Sequence, residues 1–126
     1  MVRRDHTKLS FFQKADELVL DVYKKTEAME PSPVATVGRG GRWGDADLRS
    51  SMRYQTRAVA HTIVEACRGE RRGDFQESLE CAVDQATDAQ YMVSIAGRLG
   101  QFADYEATIE KFDALIRDLS EETTKT

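Results

Sequence analysis

VAHTIVEACRGERRGDFQESLECAVDQATDAQYMVSIAGRLG, residues 59–100, is the stretch that decides the fold. Gly69 and Gly73 bracket a tight, arginine-rich turn, and Asp74 stands directly after it, where a helix N-cap belongs. From there Phe75, Leu79, Ala82, Ala86, Ala89, Val93 and Ala96 recur in steps of three and four, which places them on one face of a helix. Most of that stripe is alanine, so a neighbouring helix can approach closely. Val83, Met92, Ile95 and Leu99 form a second apolar stripe beside it, and this surplus apolar face predicts a contact between subunits. Gly100 is the expected C-terminal stop. Upstream of the turn, Leu48, Met52, Val59, Ile63 and Ala66 mark the buried face of a preceding helix that Asp45 or Asp47 caps.

Outward from this pair, the same spacing predicts two more helices. Phe12, Ala15, Val19, Val22, Thr26 and Met29 trace one face of an opening helix, widened by Leu18 and Tyr23. Thr7 or Ser10 is its candidate cap, and Pro31 and Pro33 end it. Phe102, Tyr105, Ile109, Phe112, Ile116 and Leu119 mark a closing helix. The expected organisation is one domain, 1–126, with helices at about 8–29, 46–67, 74–99 and 102–119. A glycine-rich loop at 30–45 and a polar tail at 120–126 complete it. Two very short joints and one longer loop predict an all-α, antiparallel up-down four-helix bundle.

Composition narrows the function classes. The chain has 126 residues, 40% of them hydrophobic, enough for one modest core. No apolar run approaches the roughly 20 residues that span a bilayer, so no membrane association is expected. The opening MVRRDHTKLS is polar and reads as no signal peptide. Cys67 and Cys81 are two lone thiols, which suits a reducing cytoplasm; a disulfide between them is open but not required. The net charge of −4 hides an asymmetry: residues 1–73 carry fourteen basic and ten acidic side chains, residues 74–126 four and twelve. A basic front half and an acidic back half confine any anion site to one surface, or make copies attract one another.

Reactive constellations do not converge. His61 and Glu65 share a helix face, but His6 is the only other histidine and zinc sites need three or four ligands. The pair reads best as a polar contact at a helix–helix seam. Neither cysteine has a histidine at a nucleophile's spacing, and no Gly-x-Ser-x-Gly elbow occurs. The expectation is a non-enzyme with no catalytic residue, no metal and no cofactor. Basic residues carry the alternative. Arg49, Arg53 and Arg57 repeat every fourth residue as a ridge on helix two, and Arg68, Arg71 and Arg72 extend it into the turn. In the loop, Arg39, Arg42 and Trp43 are suited to grip phosphate and stack on a base. Arginine ridges fit phosphate backbones, so these nine residues are the predicted RNA or DNA contacts. The bland alternatives are a solvated arginine face and a flexible connector.

At this point the chain resembles the four helix bundle protein family, which includes proteins encoded in intervening sequences of bacterial 23S rRNA genes. Phe12 and Tyr23 suit the family's aromatic-led opening helix, and Met52-Arg53 stands where its Ile-Arg pair falls. Ile63-Val64-Glu65-Ala66 stands for Ile-Ala-Glu-Gly, and Asp74-Phe75, Leu79, Ala82, Ala96 and Leu99-Gly100 match directly. Ala60, Thr62 and Ala66 depart from the family's proline, asparagine and glycine, Asp84-Gln85 replaces a common Gly-Ser, and the VGRGGRWG loop is longer and more basic. The resemblance covers about Phe11 to Leu119. It implies a homo-oligomeric ring, as a homopentamer with a central pore, and no enzymatic activity. A relative in the same fold group, the accessory protein of diversity-generating retroelements, binds nucleic acid and a reverse transcriptase, so the resemblance implies such partners here. The runner-up expectation is a protein-interaction scaffold whose acidic helices three and four meet a basic partner.

Overall fold

A computed structural model describes residues 4–29, 47–69 and 74–124. Among them are four α-helices and no strand: α1 (Ser10–Lys25), α2 (Leu48–Arg68), α3 (Phe75–Arg98) and α4 (Tyr105–Thr123), with a 3-10 turn at His6–Lys8 ahead of α1. The helices pack in a square, each beside its neighbours in the chain and α1 beside α4, with no close backbone approach across the diagonals. Partners along each seam run antiparallel: the end of α1 meets the start of α2, and Ser10 on α1 meets Asp118 near the end of α4. No helix of the described residues is long and apolar enough to cross a membrane.

Local chemistry sets most helix ends. Asp47 caps α2 by accepting the Ser50 N–H at 3.3 Å. At α3, Asp74 accepts the Glu77 N–H at 2.7 Å while Glu77 accepts the Asp74 N–H at 3.1 Å, a reciprocal capping box. Gly69 (φ 75°) closes α2 in the left-handed region. Gly100 (φ 77°) closes α3, its N–H reaching the Gly97 carbonyl and the Gln101 N–H the Ala96 carbonyl.

The ends of α1 and α4 differ from the expectation. Neither Thr7 nor Ser10 caps α1: the Thr7 N–H and hydroxyl turn to Asp5, and Ser10 lies inside the helix with its hydroxyl on Asp118. The helix stops at Lys25, before Met29 and the prolines: Thr26, at φ −98° and ψ 3°, leaves the helical path while its hydroxyl donates to the Val22 carbonyl at 2.6 Å. At the other corner, α4 begins three residues late. Phe102 is buried ahead of it, and Asp104 takes a left-handed conformation (φ 55°) to turn the chain. It also ends late: Ser120 to Thr123 continue the helix rather than fraying.

The core stripe of α3 runs Leu79, Ala82, Ala86, Ala89, Val93 and Ala96, every one fully buried. On α1 the buried stripe is Phe11, Ala15, Leu18, Val22 and Thr26, one position before the expected Phe12 and Val19, which are half-buried. The doublets Phe11-Phe12 and Leu18-Val19 make both registers equally apolar. On α4 the deepest residues are Thr108, Phe112, Leu115 and Leu119, with Ile109 and Ile116 packed at the edge. Val83 and Met92 pack against this chain's own core, whereas Leu99 stays 65% exposed.

Candidate nucleic-acid interface

The outer side of α2 follows from its inner side. Met52, Val59 and Ile63 turn into the core. Tyr54, Arg57, His61 and Arg68, in steps of three, four and seven, therefore share the opposite, exposed face. Beside them, between α1 and α2, runs an apolar groove of about 460 Å³ lined by Phe12, Ala58, Ala60 and Val64, with Tyr54, Arg57 and His61 along it.

The arginine ridge divides into structural and exposed members. Arg49 donates to the Met29 carbonyl at 2.6 Å. Arg53 donates from Nε to the Thr26 hydroxyl at 2.8 Å and from Nη2 to the Tyr23 carbonyl at 3.1 Å, with its guanidinium 4.5 Å from the centre of the Tyr23 ring. Arg53 thus clamps the end of α1 and Arg49 the turn that follows it, each with a charged donor. Arg57 is the member left at the surface. Its Nη1 donates to the Tyr23 hydroxyl, and its guanidinium stands 6.0 Å from the Tyr23 ring and 5.9 Å from the Tyr54 ring. Arg68 is exposed at the last turn of α2. Arg39, Arg42, Trp43, Arg71 and Arg72 lie outside the described residues.

Tyr54 is the residue that sequence reasoning passed over. It is 63% exposed and stands between two of the predicted arginines in sequence. Tyr23 widens the apolar face of the opening helix by its spacing, yet its carbonyl, ring and hydroxyl each engage an arginine. An exposed aromatic one turn from an arginine of the ridge was the available signal.

The other candidate chemistry disperses. His61 Nε2 lies 3.3 Å from Glu65 Oε2; the imidazole is 71% exposed and borders the groove, while the Glu65 side chain is 30% exposed. Among the described residues no group of three histidine, cysteine or acidic side chains is arranged to hold a metal ion. Cys67 is buried and Cys81 half-buried, with no disulfide between them. Burial pushes the Cys67 thiol above its ordinary pKa, against a smaller opposing pull from Arg4.

Comparison with protein-family models and with curated proteins found no match to this chain.

Proposed function

We propose that this protein is a non-enzymatic binding module that associates with copies of itself and binds RNA or DNA through the outer face of α2. The observation that carries the reading is the line of Tyr54, Arg57, His61 and Arg68 along that face, where cations and an aromatic ring meet solvent together. Arginines suit phosphate and aromatic rings suit bases. The sequence places further arginines on both sides of α2, at 39 and 42 and at 71 and 72. Repeating this face around a ring, as the family resemblance implies for a pentamer, multiplies a cationic surface that is sparse on one copy.

An electrophoretic shift series across salt concentrations tests the reading. Wild-type binding falls as salt rises, because neutralised phosphates release counterions. Reversing charge at Arg57 and Arg68 abolishes the shift while leaving the circular dichroism unchanged. Absence of any shift by wild type at low salt overturns it. Light scattering tests assembly, and a monomer at high micromolar concentration overturns the ring.

The second reading, a protein-interaction scaffold, rests on α3. Glu77, Glu80, Asp84 and Asp88 are all exposed on its outer face, followed by Tyr91 at 63% exposure. That face suits a basic protein partner, and it predicts capture by this acidic surface that survives loss of Arg57 and Arg68.

A further inference from the structure

We infer that the groove between α1 and α2 is a stacking site for unpaired nucleobases, so that the protein prefers single-stranded nucleic acid to duplex. The inference rests on the nucleic-acid reading of α2 and specifies the kind of strand it takes.

Three observations converge. First, the arginine ridge is not a continuous cation ladder. Arg49 and Arg53 are engaged by the end of α1 and the turn after it. Along the described outer face this leaves Arg57 and Arg68 eleven residues apart, about 16 Å by helical rise. Two cations so spaced make a poor match to the dense phosphate rows of a duplex, whose affinity grows with the number of phosphates neutralised. Second, the interval is filled by apolar surface. Phe12 and Val64 contribute to a groove of about 460 Å³, and Tyr54 stands 63% exposed at its side. A duplex hides its bases in the stack and offers such a surface nothing but phosphate and sugar, whereas an unpaired base presents a flat apolar face. Third, Arg57 is held in place. The Tyr23 hydroxyl accepts its Nη1, and the guanidinium stands about equally far from the Tyr23 and Tyr54 rings. A positioned cation beside an exposed ring is the pairing that single-strand sites use, phosphate on the arginine and base on the aromatic. Charge complementarity favours a polyanion here, since Arg57 lines the groove and Arg68 stands on its neighbouring face.

Fluorescence anisotropy of the full chain at low salt separates the outcomes. The probes are a labelled oligothymidine strand, a duplex of equal length, an abasic strand with the same phosphates, and poly-L-glutamate as an acidic polymer without bases. The expected order places oligothymidine at least tenfold tighter than each of the others. Tyr54→Ala weakens oligothymidine binding about tenfold, the scale of one lost base–aromatic stack, and leaves duplex and abasic binding unchanged. Tyr54→Phe keeps wild-type affinity. Tyr54 is exposed, so loss of fold is not the expected cause, and circular dichroism of each variant checks it. Equal affinity for strand, duplex and abasic strand, all weakened by Arg57→Gln, overturns the stacking site while the nucleic-acid reading stands. Failure of wild type to bind any nucleic acid overturns both. Poly-L-glutamate binding as tightly as oligothymidine also overturns the inference and assigns the face to acidic protein partners.

Discussion

At the scale of single residues, Gly97 shows how a contact reverses a propensity. Glycine inside a helix costs about 0.5–1 kcal/mol relative to alanine, so substitution by alanine would normally stabilise. Here a Cβ on Gly97 would fall on the ring carbons of Tyr105, at the corner where α3 hands over to α4. The atoms met are the ring carbons nearest the backbone, not the far end of a side chain that can swing aside, so overpacking wins. Gly97→Ala is expected to cost about 1–3 kcal/mol, read as a lowered urea midpoint, and combining it with Tyr105→Ala recovers part of the loss. If Gly97→Ala melts at or above wild type, the close approach is wrong. Cys67 offers a second residue-scale test. Its side chain is buried and burial raises its thiol pKa, so little thiolate forms and none is reachable. In a Cys81→Ser background, iodoacetamide at pH 8 should modify Cys67 only once urea has unfolded the chain, as followed by mass spectrometry.

At the scale of elements, the two halves of the arginine ridge should separate stability from binding. Arg53 makes two hydrogen bonds to the end of α1 and lies over the Tyr23 ring, partly shielded from water. Removing it takes a charged donor from the Tyr23 carbonyl and from the Thr26 hydroxyl, which keeps its own bond to the Val22 carbonyl, so Arg53→Ala is expected to cost about 1–3 kcal/mol. Arg57 is exposed, and Arg57→Ala should cost no more than about 0.5 kcal/mol. Thermal melts of the two variants check the contrast, and equal losses refute the clamp. The same contrast explains what the sequence could reveal. The cap of α3 and the stops at Gly69 and Gly100 were legible because a cap is built from residues within one turn of each other. The alanine stripe of α3 was legible because it recurs without a break from Leu79 to Ala96, whereas the apolar stripe beside it is interrupted by Thr87 and Gln90 between Val83 and Met92. The stripe of α1 was displaced by one because Phe11-Phe12 and Leu18-Val19 offer two apolar registers, and only the neighbouring helices choose between them. The ridge was legible as a spacing, but its division into clamp and surface depends on Tyr23, Thr26 and Met29, which lie some twenty to thirty residues away in the chain.

At the scale of the whole molecule, the four seams are not alike. The seams flanking α3 are closed by the buried alanine stripe and the leucines and phenylalanine around it. The seam between α1 and α4 is lined by polar contacts: Lys14 and Ser10 with Asp118, Lys111 with Glu17 at 3.3 Å and Asp21 at 3.8 Å, and the Thr108 hydroxyl on Asp21 at 2.9 Å. Such pairs are partly exposed and individually weak, so they hold α1 less firmly than apolar packing holds α3. Hydrogen exchange should therefore open α1 in a sub-global step before α3, with protection lost earlier at Leu18 than at Ala89. Acid should act through the same seam. The hydrogen bond from Lys14, with a smaller one from Ser10, keeps the Asp118 carboxyl below its ordinary pKa of 3.8 despite some burial. A carboxylate whose pKa is lower in the folded than in the unfolded chain adds stability above the unfolded value and loses it as pH falls through the folded one. The contribution of Asp118 is thus intact at neutral pH and begins to fall away below about pH 4. Asp118→Asn should cost about 0.5–1 kcal/mol at pH 7, cost progressively less as pH falls below 4, and accelerate exchange in α1 more than in α3. A variant whose deficit stays constant from pH 7 to pH 3, or whose α3 amides open first, would show that α1 is not the loosely held helix of the bundle.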